Sequence, residues 1–128
     1  MEAQEPKFIY KRFAFLVDTE EISYSKKFDL DKSIKAVTGL QISSNRPNML
    51  FYRGTQRIEI NGEEIYPENY ESKLLMSGLS VPPDQRFVPV GLVPSGNGEV
   101  KINYRDNFDL EVAFTEYQVS IILKCILK

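Results

Sequence analysis

The end of the chain sets the frame for everything before it. Tyr117, Val119, Ile121, Leu123, Cys125 and Leu127 alternate with Gln118, Ser120, Ile122, Lys124 and Ile126. Period two is the repeat of a pleated strand, whose successive side chains point to opposite faces. A helix would scatter the same apolar set around its circumference. The segment therefore predicts one long strand with a wholly apolar face. Ile122 and Ile126 predict that its second face is partly covered as well.

The same period recurs upstream. Phe13, Phe15 and Val17 share a face opposite Ala14 and Leu16, which reads as a largely buried strand. Ile58-Glu59-Ile60-Asn61-Gly62-Glu63-Glu64-Ile65 reads as a hairpin. Asn-Gly supplies the two positive-φ residues of a type I′ turn, and this register places Ile58 opposite Ile65. Pro94-Ser95-Gly96-Asn97-Gly98 forms a turn into the alternating Val100-Lys101-Ile102-Asn103-Tyr104. Pro82-Pro83-Asp84 marks another turn, ahead of Phe87-Val88-Pro89-Val90, which Pro89 confines to a sheet edge at best. Between Phe28 and Ile42 the even positions carry most of the apolar residues. The β-branched residues and Gly39 favour a strand from about Ser33 to Ser43 over a helical turn capped by Asp31. Tyr66 to Glu71 reads as a loop or a short helical turn.

Seven prolines and seven glycines punctuate these segments evenly, which is the spacing of an all-β sandwich or barrel. About eight strands result, enough for two packed antiparallel sheets. A chain of 128 residues is one domain as a prior, and residues 1–7 read as a short N-terminal arm. At this size roughly two-thirds of the unfolded surface is buried, so a core forms without staples.

Absent residues exclude much chemistry. There is no histidine, and Cys125 is the lone cysteine. An intramolecular disulfide, a Cys/His zinc site, a Ser-His-Asp triad and a Cys-His dyad are all impossible. Cys125 falls on the apolar face of its strand and is expected to be a buried, inert thiol. The 16 basic and 18 acidic residues are dispersed, ten of each sign in the first 64 positions, so the basic footprint of a nucleic-acid binder is missing. The longest uninterrupted apolar run, Phe13 to Val17, is far short of a membrane span of about 20 residues. The acidic start reads as no signal peptide, and a lone cysteine suits synthesis in a reducing cytoplasm.

Four clusters merit a chemical reading. Asp106-Asn107-Phe108-Asp109-Leu110-Glu111 gathers oxygen ligands, yet it lacks the glycine and distal glutamate of a calcium loop, so a turn is expected. Glu59, Glu63, Glu64 and Glu68 could supply a glycosidase pair, but the exposed face of a hairpin explains them. Gly96-Asn97-Gly98 precedes a strand, whereas phosphate cradles precede a helix. Arg53 and Arg57 flank Gly54, for which a bulge or a positive φ is expected. The two arginines could grip a partner's carboxylate or pair with the nearby glutamates. No catalytic, cofactor-binding or metal residue is assigned. Tyr66, Tyr70, Leu74, Leu75 and Met76 crowd together outside any clear strand. If exposed, they form an apolar patch of the kind that marks an interaction site, and with Arg53 and Arg57 they are the expected partner contacts.

The run Leu50-Phe51-Tyr52-Arg53-Gly54-Thr55-Gln56-Arg57 through Glu68, and the later Gly96-Asn97-Gly98-Glu99-Val100-Lys101-Ile102-Asn103-Tyr104, resemble small structural proteins of bacteriophage particles. The similarity spans roughly residues 8 to 127 and brings no site residues with it. It implies a jelly-roll-like β-sandwich that serves as a capsid, vertex or auxiliary (decorating) subunit. Such a protein is non-enzymatic, needs no cofactor, and is made in the host cytoplasm and built into the virion. Its partners are other protein subunits, copies of itself among them, with no direct contact to nucleic acid or membrane. The alternative is a β-sandwich recognition module that binds a glycan or a protein. An enzyme relying on carboxylates ranks third.

Overall fold

The alternating segments pair into two four-stranded sheets in a computed structural model that describes residues 7–76 and 87–128. Strands β1 (Phe8–Val17), β2 (Ser23–Asp29) and β3 (Ile34–Ser44) are followed by a two-turn helix, α1 (Pro47–Arg53). Then come β4 (Gly54–Ile60), β5 (Glu63–Glu71), a 3-10 turn (Ser72–Leu75), β6 (Val88–Pro94), β7 (Glu99–Asp106) and β8 (Tyr117–Leu127). Sheet I has the order β1-β8-β3-β6 and sheet II the order β2-β7-β4-β5. Every pairing is antiparallel. The first strand pairs with the last, the second with the seventh, the third with the sixth and the fourth with the fifth. The chain is thus one long hairpin, closed at Asn61-Gly62 and folded over into an all-β sandwich.

The apolar faces meet in the middle. Val17, Ile34, Leu40 and Ile42 of sheet I are buried, as are Ile58, Ile60, Val100 and Ile102 of sheet II. Each such side chain contributes about 1.5–3 kcal/mol relative to full exposure. Along β8 the expected face is buried from Tyr117 to Cys125, while Ile122 and Ile126 on the second face are half-buried. Burial pushes the Cys125 thiol up to about 11. The ambiguous stretch after Ser33 is strand β3, and β6 lies at a sheet edge as Pro89 requires. Asn61 and Gly62 have φ of 52° and 75°, as the hairpin turn demands.

Several expectations need correction. Tyr66 to Glu71 is neither loop nor helix but part of β5. Pro67 is accommodated because β5 is an edge strand among the described residues, where one row of N–H groups has no ladder partner to serve. Bulges beside Ile58 shift the register, so Ile58 faces Tyr66 and not Ile65. Leu16 lies on the outer face of β1 and is 48% exposed, although Phe15 and Val17 on the inner face are buried. Helix α1 has no counterpart in the period-two reading. Pro47 sits in its first turn, no side chain caps it, and only Met49, Leu50 and Arg53 are buried. Seven residues carry too little 3.6-residue periodicity to register. Gly54 has an ordinary φ of −93°. Its constraint is space: a Cβ there would collide with the Tyr104 hydroxyl, Ser72 Oγ and Leu50 O. The Pro82-Pro83-Asp84 turn, and the N-terminal arm apart from Lys7, lie outside the described residues. No helix among the described residues is long and apolar enough to cross a membrane.

Candidate interaction surfaces

One end of the sandwich is organised by a buried ion pair. Arg53, the last residue of α1, is 1% exposed, and Asp106, the last residue of β7, is fully buried. Arg53 Nε donates to Asp106 Oδ1 at 3.1 Å and Nη2 to Oδ2 at 2.9 Å. The Tyr117 hydroxyl donates to Oδ1 at 2.7 Å and the Glu21 backbone N–H to Oδ2 at 3.0 Å. The carboxylate therefore has its acceptor sites filled, the condition under which a buried ion pair is tolerated. Tyr117 spends its one proton on Asp106, so Tyr104 donates across the 2.7 Å contact between the two hydroxyls. Desolvation raises the pKa of both tyrosines, and the hydrogen bond to Asp106 raises that of Arg53.

The same arginine ties the β7–β8 loop to α1. Its Nη1 donates to Val112 O at 2.9 Å, its guanidinium lies 5.5 Å from the Phe114 ring centre, and its carbonyl accepts from the Asn107 backbone N–H at 2.8 Å. Arg46 Nε holds the other end of the loop through Glu116 O at 2.9 Å. Asp109 Oδ1 accepts from the backbone of Glu111 and Val112, so the acidic cluster is a turn. The expectation that Arg53 serves a partner or a nearby glutamate is corrected: its carboxylate is Asp106, 53 residues away in sequence. Above this network lies an open cleft of about 270 Å³, lined by Phe51, Tyr52, Thr55, Lys73, Asn107 and Asp109 among others. Phe51, Tyr52, Leu74, Phe108 and Leu110 are all exposed at this end, Leu110 by 91%.

The five residues expected as an apolar contact patch are divided by the fold. Tyr66 and Leu75 belong to the core, because β5 turns Tyr66 inward and the 3-10 turn tucks Leu75 beneath α1. Tyr70 and Met76 are half-buried against that core, and the rings of Tyr66 and Tyr70 stand 4.7 Å apart. Leu74 alone is well exposed, at 56%. Arg57 bridges Glu59 at 2.9 Å and Glu64 at 3.3 Å on the surface of the hairpin, as its neighbours in sequence suggest.

The outer faces of the two sheets differ sharply. On sheet II, Lys27 and Lys101 pair with Glu99 at 3.0 and 3.1 Å, and Ser25 donates to Asn103 at 2.9 Å. None of its strands contributes an exposed large apolar side chain. Sheet I exposes Phe8, Tyr10 and Leu16 from β1 and Leu92 from β6. Phe87 lies on Gly39, where a Cβ would come within 3.1 Å of Phe87 Cβ, and its ring is 5.3 Å from that of Tyr10. Lys124 Nζ stands 4.6 Å from the centre of the Phe8 ring, and Arg12 Nη2 donates to Ser120 Oγ at 2.8 Å. The four strands of sheet I contain no Asp or Glu; Arg12 and Lys124 lie on the outer face, whereas Lys11 shares the side of the buried β1 residues and pairs with Asp31. Those of sheet II carry eight acidic residues against five basic ones. The period-two reading found the half-covered face of β8 but could not assign it to the same surface as β1.

Among the described residues, no three Asp, Glu or Cys side chains converge as metal ligands. Comparison with protein-family models, with curated proteins and with solved structures gives no match to this chain.

Proposed function

We propose that this chain is a non-enzymatic building block of a protein assembly, of the kind found in bacteriophage capsids, vertices and decorating layers, and that the outer face of sheet I is its principal contact surface. The carrying observation is the contrast between the sheets. An antiparallel sheet that faces water is polar on that side, as sheet II is. Sheet I instead presents exposed aromatic and aliphatic side chains in strands that contain no carboxylate. A surface of this composition marks a site for another protein. The nested strand order supports a jelly-roll-like reading, an architecture that serves capsid and lectin domains. Tyr104 and Tyr117, whose pKa values burial raises, are spent on a buried hydrogen-bond network with Asp106, which suits a scaffold better than a catalyst. The protein is made in the host cytoplasm and works within the virion.

Incorporation into the native particle tests this reading. Tyr10→Arg with Leu16→Arg should leave a folded protein that no longer co-purifies with the particle, while Asn103→Arg on sheet II should be incorporated normally. Equal incorporation of both variants overturns the reading. The second reading, glycan recognition, rests on the exposed Tyr52 ring beside Thr55, Asn107 and Asp109 in the open cleft. A glycan bound by the wild type and lost with Tyr52→Ala would favour it.

A further inference from the structure

We propose that the partner of the outer face of sheet I is the Arg53 end of a second copy of this chain, so that copies associate head to tail. This rests on the assembly reading above and adds the identity of the partner. Two exposed apolar surfaces stand out among the described residues, and they carry opposite charge. The face of sheet I presents Phe8, Tyr10 and Leu16 with Arg12 and Lys124, and no acid lies in its strands. The Arg53 end presents Phe51, Tyr52, Leu74, Phe108 and Leu110. Its exposed charges are mainly acidic: Asp18, Glu20, Glu21, Glu71, Glu111 and Glu116, against Arg46, Lys73 and Arg105.

One surface runs along the strands and the other caps their ends, so a single molecule cannot bring them together. Two copies packed through sheet I would set Arg12 and Lys124 against their own kind, and like charges across an interface oppose association. Face against end is the arrangement that covers both apolar surfaces and opposes their charges. It is heterologous, and it closes into a ring or continues as a filament according to the rotation per step. Strands of about ten residues in a four-stranded sheet cover roughly 33 by 19 Å. That caps the contact at about 600 Å² per partner, or about 1,200 Å² in total, the low end for a specific interface. The association should therefore depend on concentration and on salt. The Arg53–Asp106 pair holds α1 and the β7–β8 loop in place before docking, which lowers the ordering cost.

Charge exchange followed by sedimentation velocity tests the pairing. The full chain should associate at about 0.05 M salt and dissociate towards about 0.5 M. Arg12→Glu on the face and Glu111→Lys on the end, both exposed positions, should each weaken association by about tenfold or more while leaving the circular dichroism spectrum unchanged. Mixing the two variants, or placing both changes in one chain, should restore it, because the reversed face then meets a reversed end. Association that is indifferent to Glu111→Lys, or that neither the mixture nor the double variant restores, overturns the head-to-tail pairing. A wild type that stays monomeric overturns it as well. The incorporation result with Tyr10→Arg and Leu16→Arg is independent of these outcomes, so the assembly reading can stand when the choice of partner falls.

Discussion

Replacing Arg53 by Met probes the feature on which the geometry of the acidic end depends. The change keeps most of the side-chain length and removes the guanidinium. Asp106 then loses two of its four hydrogen bonds while remaining fully buried, and Val112 O loses its donor. Breaking one side of a buried pair costs about 3–5 kcal/mol, chiefly through the charge left behind. Loss of the Phe114 contact adds about 0.5–1 kcal/mol. A domain of this size has about 5–15 kcal/mol in all, so the variant should sit near the edge of folding. With each kcal/mol worth about 3–5 °C here, Tm should fall by about 10–30 °C. Thermal and urea unfolding followed by circular dichroism at pH 7 measure this. Adding Asp106→Leu removes the stranded charge, so the double variant should be more stable than the two separate losses imply, by about 1–3 kcal/mol. A loss below about 1 kcal/mol for Arg53→Met, or strict additivity in the cycle, would show that the pair is in effect solvated and does not hold the end together.

Three further outcomes follow from the core and the turns. Cys125 should resist thiol reagents under native conditions, labelling only as fast as the fold opens. Its folded pKa of about 11 lies above the unfolded value near 8.5. Its contribution is therefore complete below about pH 8.5 and is lost as pH rises towards 11, a slope that Cys125→Ala should flatten in denaturation curves taken across that range. Gly54→Ala, whose new Cβ would stand 2.6 Å from Ser72 Oγ and 2.9 Å from Leu50 O, should cost about 1–3 kcal/mol, and an unchanged urea midpoint would refute the close approach. Gly62→Ala at φ 75° should cost about 1–2 kcal/mol with no change in the spectrum of the folded state.

The parts of the fold legible in the amino-acid order are those written at short range. Alternation from Tyr117 to Leu127 needs no partner to be read, because a strand's two faces are set by backbone geometry. Asn61-Gly62 announces its turn through the φ values the two residues tolerate. The burial of Cys125 follows from its place in the alternation. The same logic misplaced Tyr66 and Leu75. Pro67 and the glutamates around it argue locally for a loop, and only the pairing of β5 with β4 overrides them. Helix α1 escaped because its seven residues are stabilised by what Leu50 and Arg53 meet elsewhere in the fold.

Read alone, then, the chain determines that it is β, where most strands lie and which face of each is apolar, since these are properties of neighbours in sequence. Tertiary structure decides what lies beside what. Arg53 finds Asp106 across 53 residues. Phe87 reaches Tyr10 over Gly39. Strands free of acid, dispersed through the sequence, become one basic and apolar sheet because the chain folds back on itself as a long hairpin. Pairing of distant strands depends on loop closure and on the fit of two whole faces, and no local period encodes either.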